Sequence, residues 1–158
     1  MFQRIQTLFL AGVSIAMLVV AAMPLWEKIS TNGTEKIVLT SFSLEHFINN
    51  TSVSENNTPY IAILSIIIAC VAAFSLTQYK KRILQMTLGV VNTVLIAVLI
   101  GTIFYHVFKV GIPIFEPNNQ GHYQIGFIAA GLGMLFNMLA NRMIRRDEML
   151  VKSADRMR

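Results

Sequence analysis

The chain has 158 residues, of which 54% are hydrophobic and 13% charged, with one cysteine and a net charge of +5. A soluble domain carries about 25% charged residues and cannot hide so much apolar sequence in so small a globule, so the composition excludes an ordinary water-soluble fold and points to a bilayer as the apolar solvent. The lone Cys70 excludes a disulfide framework and any dithiol or multi-cysteine metal site within one chain.

Four apolar runs meet the length of about 20 residues that a membrane-crossing helix needs. They cover about residues 5–25, 60–79, 83–108 and 123–141. Backbone groups in lipid must be satisfied internally, so such runs read as helices. The first run follows Arg4 and exceeds the roughly 7–15 apolar residues of a secretory signal, and it is read as a retained span. The expected fold class is an all-α membrane protein, a four-transmembrane-helix bundle with a small extracytoplasmic β-hairpin, forming one membrane domain over residues 1–158.

The segment 26–59 is read as the larger outer loop. Asn32-Gly33 suits a type I′ turn, and β-branched residues follow it, so a hairpin is expected with 27–31 opposite 34–41. Ser43 to Ile48 reads as a short helix or a segment lying on the membrane, and 49–59, rich in Asn, Ser and Thr, as irregular loop. The loop at 80–82 is the short inner one. Residues 109–122 form the second outer loop, where Pro113 and Pro117 argue against helix. The tail 142–158 has no Gly or Pro and reads as a basic amphipathic continuation of the last helix.

Ten of the 13 Lys and Arg residues fall at the N-terminus, in the 80–82 loop and in the tail. The excess of positive charge on cytoplasmic loops then puts both termini inside and residues 26–59 and 109–122 on the outer side, in the periplasm or its equivalent. Trp26, Tyr60, Tyr79, Tyr105 and Tyr123 lie near run ends, as interfacial aromatics do. Arg4, Lys80, Lys81, Arg82, Arg142, Arg145 and Arg146 converge on one face and are the candidate contacts for anionic lipid or a partner.

Small residues recur four apart at Gly12/Ala16, Ser65/Ala69/Ala73, Thr93/Ala97/Gly101 and Ala129/Gly133, a spacing that lets helices approach closely. No run contains Asp, Glu, Lys or Arg. The polar groups Asn92, His106 and Asn137 are read as interhelical hydrogen-bonding sites. The histidines are scattered and no carboxylate pair has catalytic spacing, so no catalytic residue, metal site or cofactor is assigned and the chain is read as a non-enzyme.

The opening Met1-Phe2-Gln3-Arg4-Ile5-Gln6-Thr7-Leu8-Phe9-Leu10 resembles the start of a bacterial family of uncharacterised four-span membrane proteins, a domain of unknown function. The layout of a long outer loop, a basic inner loop and a charged tail extends that likeness; the family implies no functional residues. A looser likeness to claudin-type proteins is one of topology only, because their paired loop cysteines are absent. The expected role is an accessory or scaffolding subunit of an inner-membrane assembly. Its partners would be membrane lipids and a larger complex or a second copy, with no nucleic acid. The alternative is a small-molecule or lipid transporter with a cavity near Asn92 and Asn137.

Overall fold

The computed structural model describes residues 2–49, 51–78 and 81–156, with the side chains of all of these except 2–4, 82, 152 and 154–156. The chain runs α1 (Phe2–Ala22), β1 (Trp26–Ile29), β2 (Glu35–Leu39), β3 (Ser43–Ile48), β4 (Thr51–Asn57), α2 (Pro59–Thr77), α3 (Arg82–His106), a π-helical segment (Val107–Gly111), the single turn α4 (Ile112–Ile114), β5 (His122–Tyr123) and α5 (Ile125–Arg156).

Four helices are long and apolar enough to cross a membrane, which marks the chain as a membrane protein. Each long helix packs on two others: α1 on α2 and α5, α3 on α2 and α5. Their shared core contains Val13, Met17, Ile68, Ile96, Leu99 and Ala130. The small-residue rows act where α1 meets α5. A Cβ on Gly133 would lie 2.4 Å from Met17 Cε, and one on Gly12 would lie 2.9 Å from the Phe136 ring. The row on α3 does otherwise, since Ala97 and Gly101 face outward.

The expectation of an all-α fold with one hairpin is wrong. The segment 26–57 and residues 122–123 build a five-stranded antiparallel sheet in the order β4-β3-β2-β1-β5, so the chain mixes helices with a sheet. Ser43–Ile48, read as a short helix or a segment lying on the membrane, is the sheet's third strand, paired to β2 from Leu39↔Leu44 to Glu35↔Ile48. The supposed irregular loop supplies β4, entered by a tight turn at which Asn49 takes φ +49°. Tertiary pairing overrides local propensity here.

The first turn also differs from the type I′ reading, which needs positive φ at both central residues. Gly33 N–H instead closes on Ser30 O at 2.9 Å, and of Asn32 and Gly33 only Gly33 takes positive φ, +67°. Pro113, expected to forbid helix, sits at the start of α4 directly after the widened π turn, where its missing N–H breaks no established ladder. The chain leaves the helix at Phe115, φ −147° and ψ 157°.

The sheet is stitched to the helix ends. Pro24 ends α1, because the residue before proline is pushed out of the helical region. Leu25 N–H then bonds Leu39 O at 2.8 Å, and Gln124 N–H bonds Leu25 O at 2.9 Å. Ser41, fully buried in the β2–β3 turn, donates its hydroxyl to Val20 O of α1, and Ala62 N–H of α2 reaches Ser41 O at 3.2 Å. Trp26, expected at the lipid interface, is fully buried instead. Its indole N–H donates to Gln120 O at 3.0 Å, and its ring lies where a Cβ on Gly111 or Gly121 would come within 2.7–2.8 Å.

Candidate functional site

Two surfaces and one polar interior layer concentrate the unusual chemistry. The first surface is the sheet. Its inward face carries Trp26, Lys28, Ile37, Leu39 and Leu44, all buried. Lys28 is the outlier, because a fully buried lysine is rare unless its charge is compensated. Its ammonium donates to Ile112 O at 2.9 Å, to Glu116 O at 3.1 Å and to Phe115 O, and it stands 4.7 Å from the centroid of the Phe115 ring. These carbonyls belong to α4 and the two residues after it, where free acceptors and the negative end of the helix dipole favour a cation. A strand lysine thus caps a helix distant in sequence. Burial lowers its pKa, and the charge of Glu116 works against that shift.

Glu116 itself, at φ +39°, turns its carboxylate to the first hairpin. It accepts from Ser30 Oγ at 2.8 Å, from Thr31 N–H at 3.3 Å and from the Thr31 hydroxyl. The hydroxyls of Thr31 and Ser30 hold its pKa below the ordinary carboxylate value. Asn119 Nδ2 adds a 2.9 Å bond to Ile29 O. The two loops between helices are therefore one hydrogen-bonded unit.

The outward face of the sheet carries the Glu27–Lys36 ion pair at 2.8 Å and a shallow depression lined by Lys36, Val38, Glu45 and Phe47. Beyond it, every described side chain of β4 is exposed, and the order of the sheet leaves the outer edge of β4 without a neighbour among the described residues. An unpaired edge offers a row of N–H and C=O groups to an incoming strand. Val53, 61% exposed, bulges from it where His46↔Ser54 gives way to Phe47↔Ser52.

The second surface is basic and lies at the opposite end of the helices. Arg142, Arg145 and Arg146 are exposed along α5, and Lys81 is exposed just before α3. The three arginines line one open groove of about 760 Å³ between α3 and α5, with Thr93 and Asn141 beside them. Lys80 and the side chains of Arg4 and Arg82 lie outside the described residues.

The interior polar residues do not act as one group. Asn137 donates to Gly89 O at 2.9 Å and to Thr93 Oγ1 at 2.8 Å, tying α5 to α3. Asn92, 1% exposed, has neither amide atom hydrogen-bonded. His106 pairs with the Tyr60 hydroxyl, joining α3 to α2. Sequence reasoning missed Lys28 and Ser41, and it did not foresee the bonds of Glu116 to Ser30 and Thr31. Lys28 and Glu116 look like ordinary loop charges, and only the pairing of segments some 85 residues apart reveals their roles. Among the described residues no group of three or more His, Cys, Asp or Glu could hold a metal ion.

Four candidate spans, capped at one end by an antiparallel sheet drawn from two separate loops, define a polytopic membrane protein with a structured head. The chain belongs to the DUF4293 family, a domain of unknown function, whose model matches residues 2–157. No curated protein matches it in sequence.

Proposed function

We propose that the protein is a non-enzymatic accessory or scaffolding subunit of an assembly in the bacterial inner membrane, with both termini cytoplasmic and the sheet on the outer side. The orientation rests on the concentration of Lys and Arg at the end of the helices opposite the sheet. The role rests on one observation: β4 offers a seven-residue strand, exposed throughout, on a sheet anchored rigidly to the helices. A partner that adds an extended segment to that edge gains main-chain hydrogen bonds, and the Val38/Phe47 depression supplies a nearby apolar contact.

The test is purification of the full chain from native membranes in mild detergent, with a photo-crosslinker at Ser54. The expected outcome is a stoichiometric larger partner, cross-linked at Ser54 and lost when Val53→Lys places a charge on the edge. A clean monomer, or a partner indifferent to the edge, would sink the reading.

A second reading, a transporter for a small molecule or lipid, draws on Asn92, whose buried amide is unpaired. A polar path there predicts that Asn92→Leu abolishes substrate flux in vesicles while raising thermal stability; higher stability with flux intact rules that path out.

A further inference from the structure

The groove between α3 and α5 has an internal order that the docking role does not use. Its α5 wall carries Met138, Arg142 and Arg145, at i, i+4 and i+7, so they form one stripe. At 1.5 Å per residue, Arg142 stands about 6 Å and Arg145 about 10 Å further along the helix than Met138. The α3 wall contributes Val90 and Val94, both exposed. The groove is thus mainly apolar toward the middle of the helices, with Thr93 and Asn141 beside the strip, and cationic further along, where Met149 ends it.

Its charge is also one-sided. The lining contains three arginines and no acidic side chain. A second groove, on the other flank of Arg142 and Arg146, includes Asp147, which opposes an anion there. Arginine suits phosphate better than lysine does, because its planar fork donates two parallel hydrogen bonds. Basic pockets between membrane helices are ready seats for anionic headgroups.

We propose that this groove seats one anionic phospholipid, its phosphate held by Arg142 and Arg145 and an acyl chain laid along Val90, Val94 and Met138. Free phosphate satisfies only the arginines, and an acidic peptide has no use for the apolar strip. The seat is independent of the partner edge, since it lies at the opposite end of the helices.

Native mass spectrometry of the full chain in detergent, offered equal amounts of phosphatidylglycerol and phosphatidylcholine, tests this. One phosphatidylglycerol should be retained per chain, at least tenfold in preference to phosphatidylcholine. Arg142→Gln with Arg145→Gln should reduce retention tenfold or more. Val94→Phe, which fills the apolar strip without changing charge, should reduce it as well, and Lys81→Gln, a basic residue outside the groove, should leave it unchanged. Equal retention of both lipids overturns the proposal. So does a comparable loss with Lys81→Gln, which means diffuse charge, or full retention in Val94→Phe, which means that the strip is idle. Displacement by glycerol 3-phosphate at matching concentration also overturns it, in favour of a site for free phosphate. If the double arginine variant does not fold, as judged by circular dichroism, Val94→Phe and the competitor decide the question.

Discussion

Lys28 and Glu116 hold the sheet end together by opposite means. Lys28 is buried and compensated by backbone carbonyls, one ring and the charge of Glu116. Replacing it with Met leaves those acceptors without their donor in a site closed to water. A buried polar group left unpaired costs roughly 1–3 kcal/mol, so Lys28→Met should lower stability by about 1–3 kcal/mol. The single tryptophan, Trp26, sits beside it, and its fluorescence during thermal unfolding in detergent reads that loss directly. Glu116 makes the sheet end sensitive to acid. Its pKa is depressed in the folded state, so the folded chain releases this proton more readily than the unfolded chain does. The stabilisation is therefore fully present above the ordinary value of 4.5 and disappears as pH falls through the lower folded value. Glu116→Gln should flatten that acid limb in melts recorded from about pH 3 to 7 and leave the neutral region less stable than the parent. Gly121 is equally specific: with φ +68° and Trp26 atoms 2.8 Å from any added Cβ, Gly121→Ala combines strain with a clash and should destabilise by about 1–3 kcal/mol.

Among the elements, the long helices were readable and the strands were only partly so. Apolar runs of membrane length need no partner to identify them. A strand needs one buried face before alternation appears, and β4, exposed throughout, has none. β3 has a buried start and half-buried remainder, so Ser-Leu-Glu-His-Phe-Ile gives no clear period and passes for helix. β5 is two residues long and exists only because Trp26 and Glu27 lie opposite. Of the candidate residues, Asn137 makes an interhelical hydrogen bond, and the Asn92 amide has no hydrogen-bond partner. Asn137→Ala should loosen the α3–α5 contact by about 0.6–2 kcal/mol, measurable in a denaturant titration. The partner of His106, the Tyr60 hydroxyl, sits 46 positions away, beyond the reach of any local pattern.

At the scale of the molecule, the lengths of the helices divide the labour. The 32 residues of α5 extend about 48 Å, against a hydrocarbon core of about 30 Å, so its arginine end overhangs the apolar layer. The stretch Ile83–Ile114 is as long, and its surplus rises at the other end to form the post on which Lys28 rests. The two overhangs point in opposite directions and carry the two candidate surfaces. The sheet they support draws β1–β4 from one side of α2 and α3 in the sequence and β5 from the other. That arrangement has a consequence for biogenesis. As the chain leaves the ribosome, Lys28 and Trp26 emerge early, yet the carbonyls of residues 112–116, Gln120 O and the β5 strand are made some 85–95 residues later. Until then the half-made head holds an unsatisfied cation and a bare indole, the kind of surface that chaperones and proteases recognise. A chain stopped before residue 112 should be degraded faster than one extended past residue 125. Those contacts can close only after α1, α2 and α3 have been made.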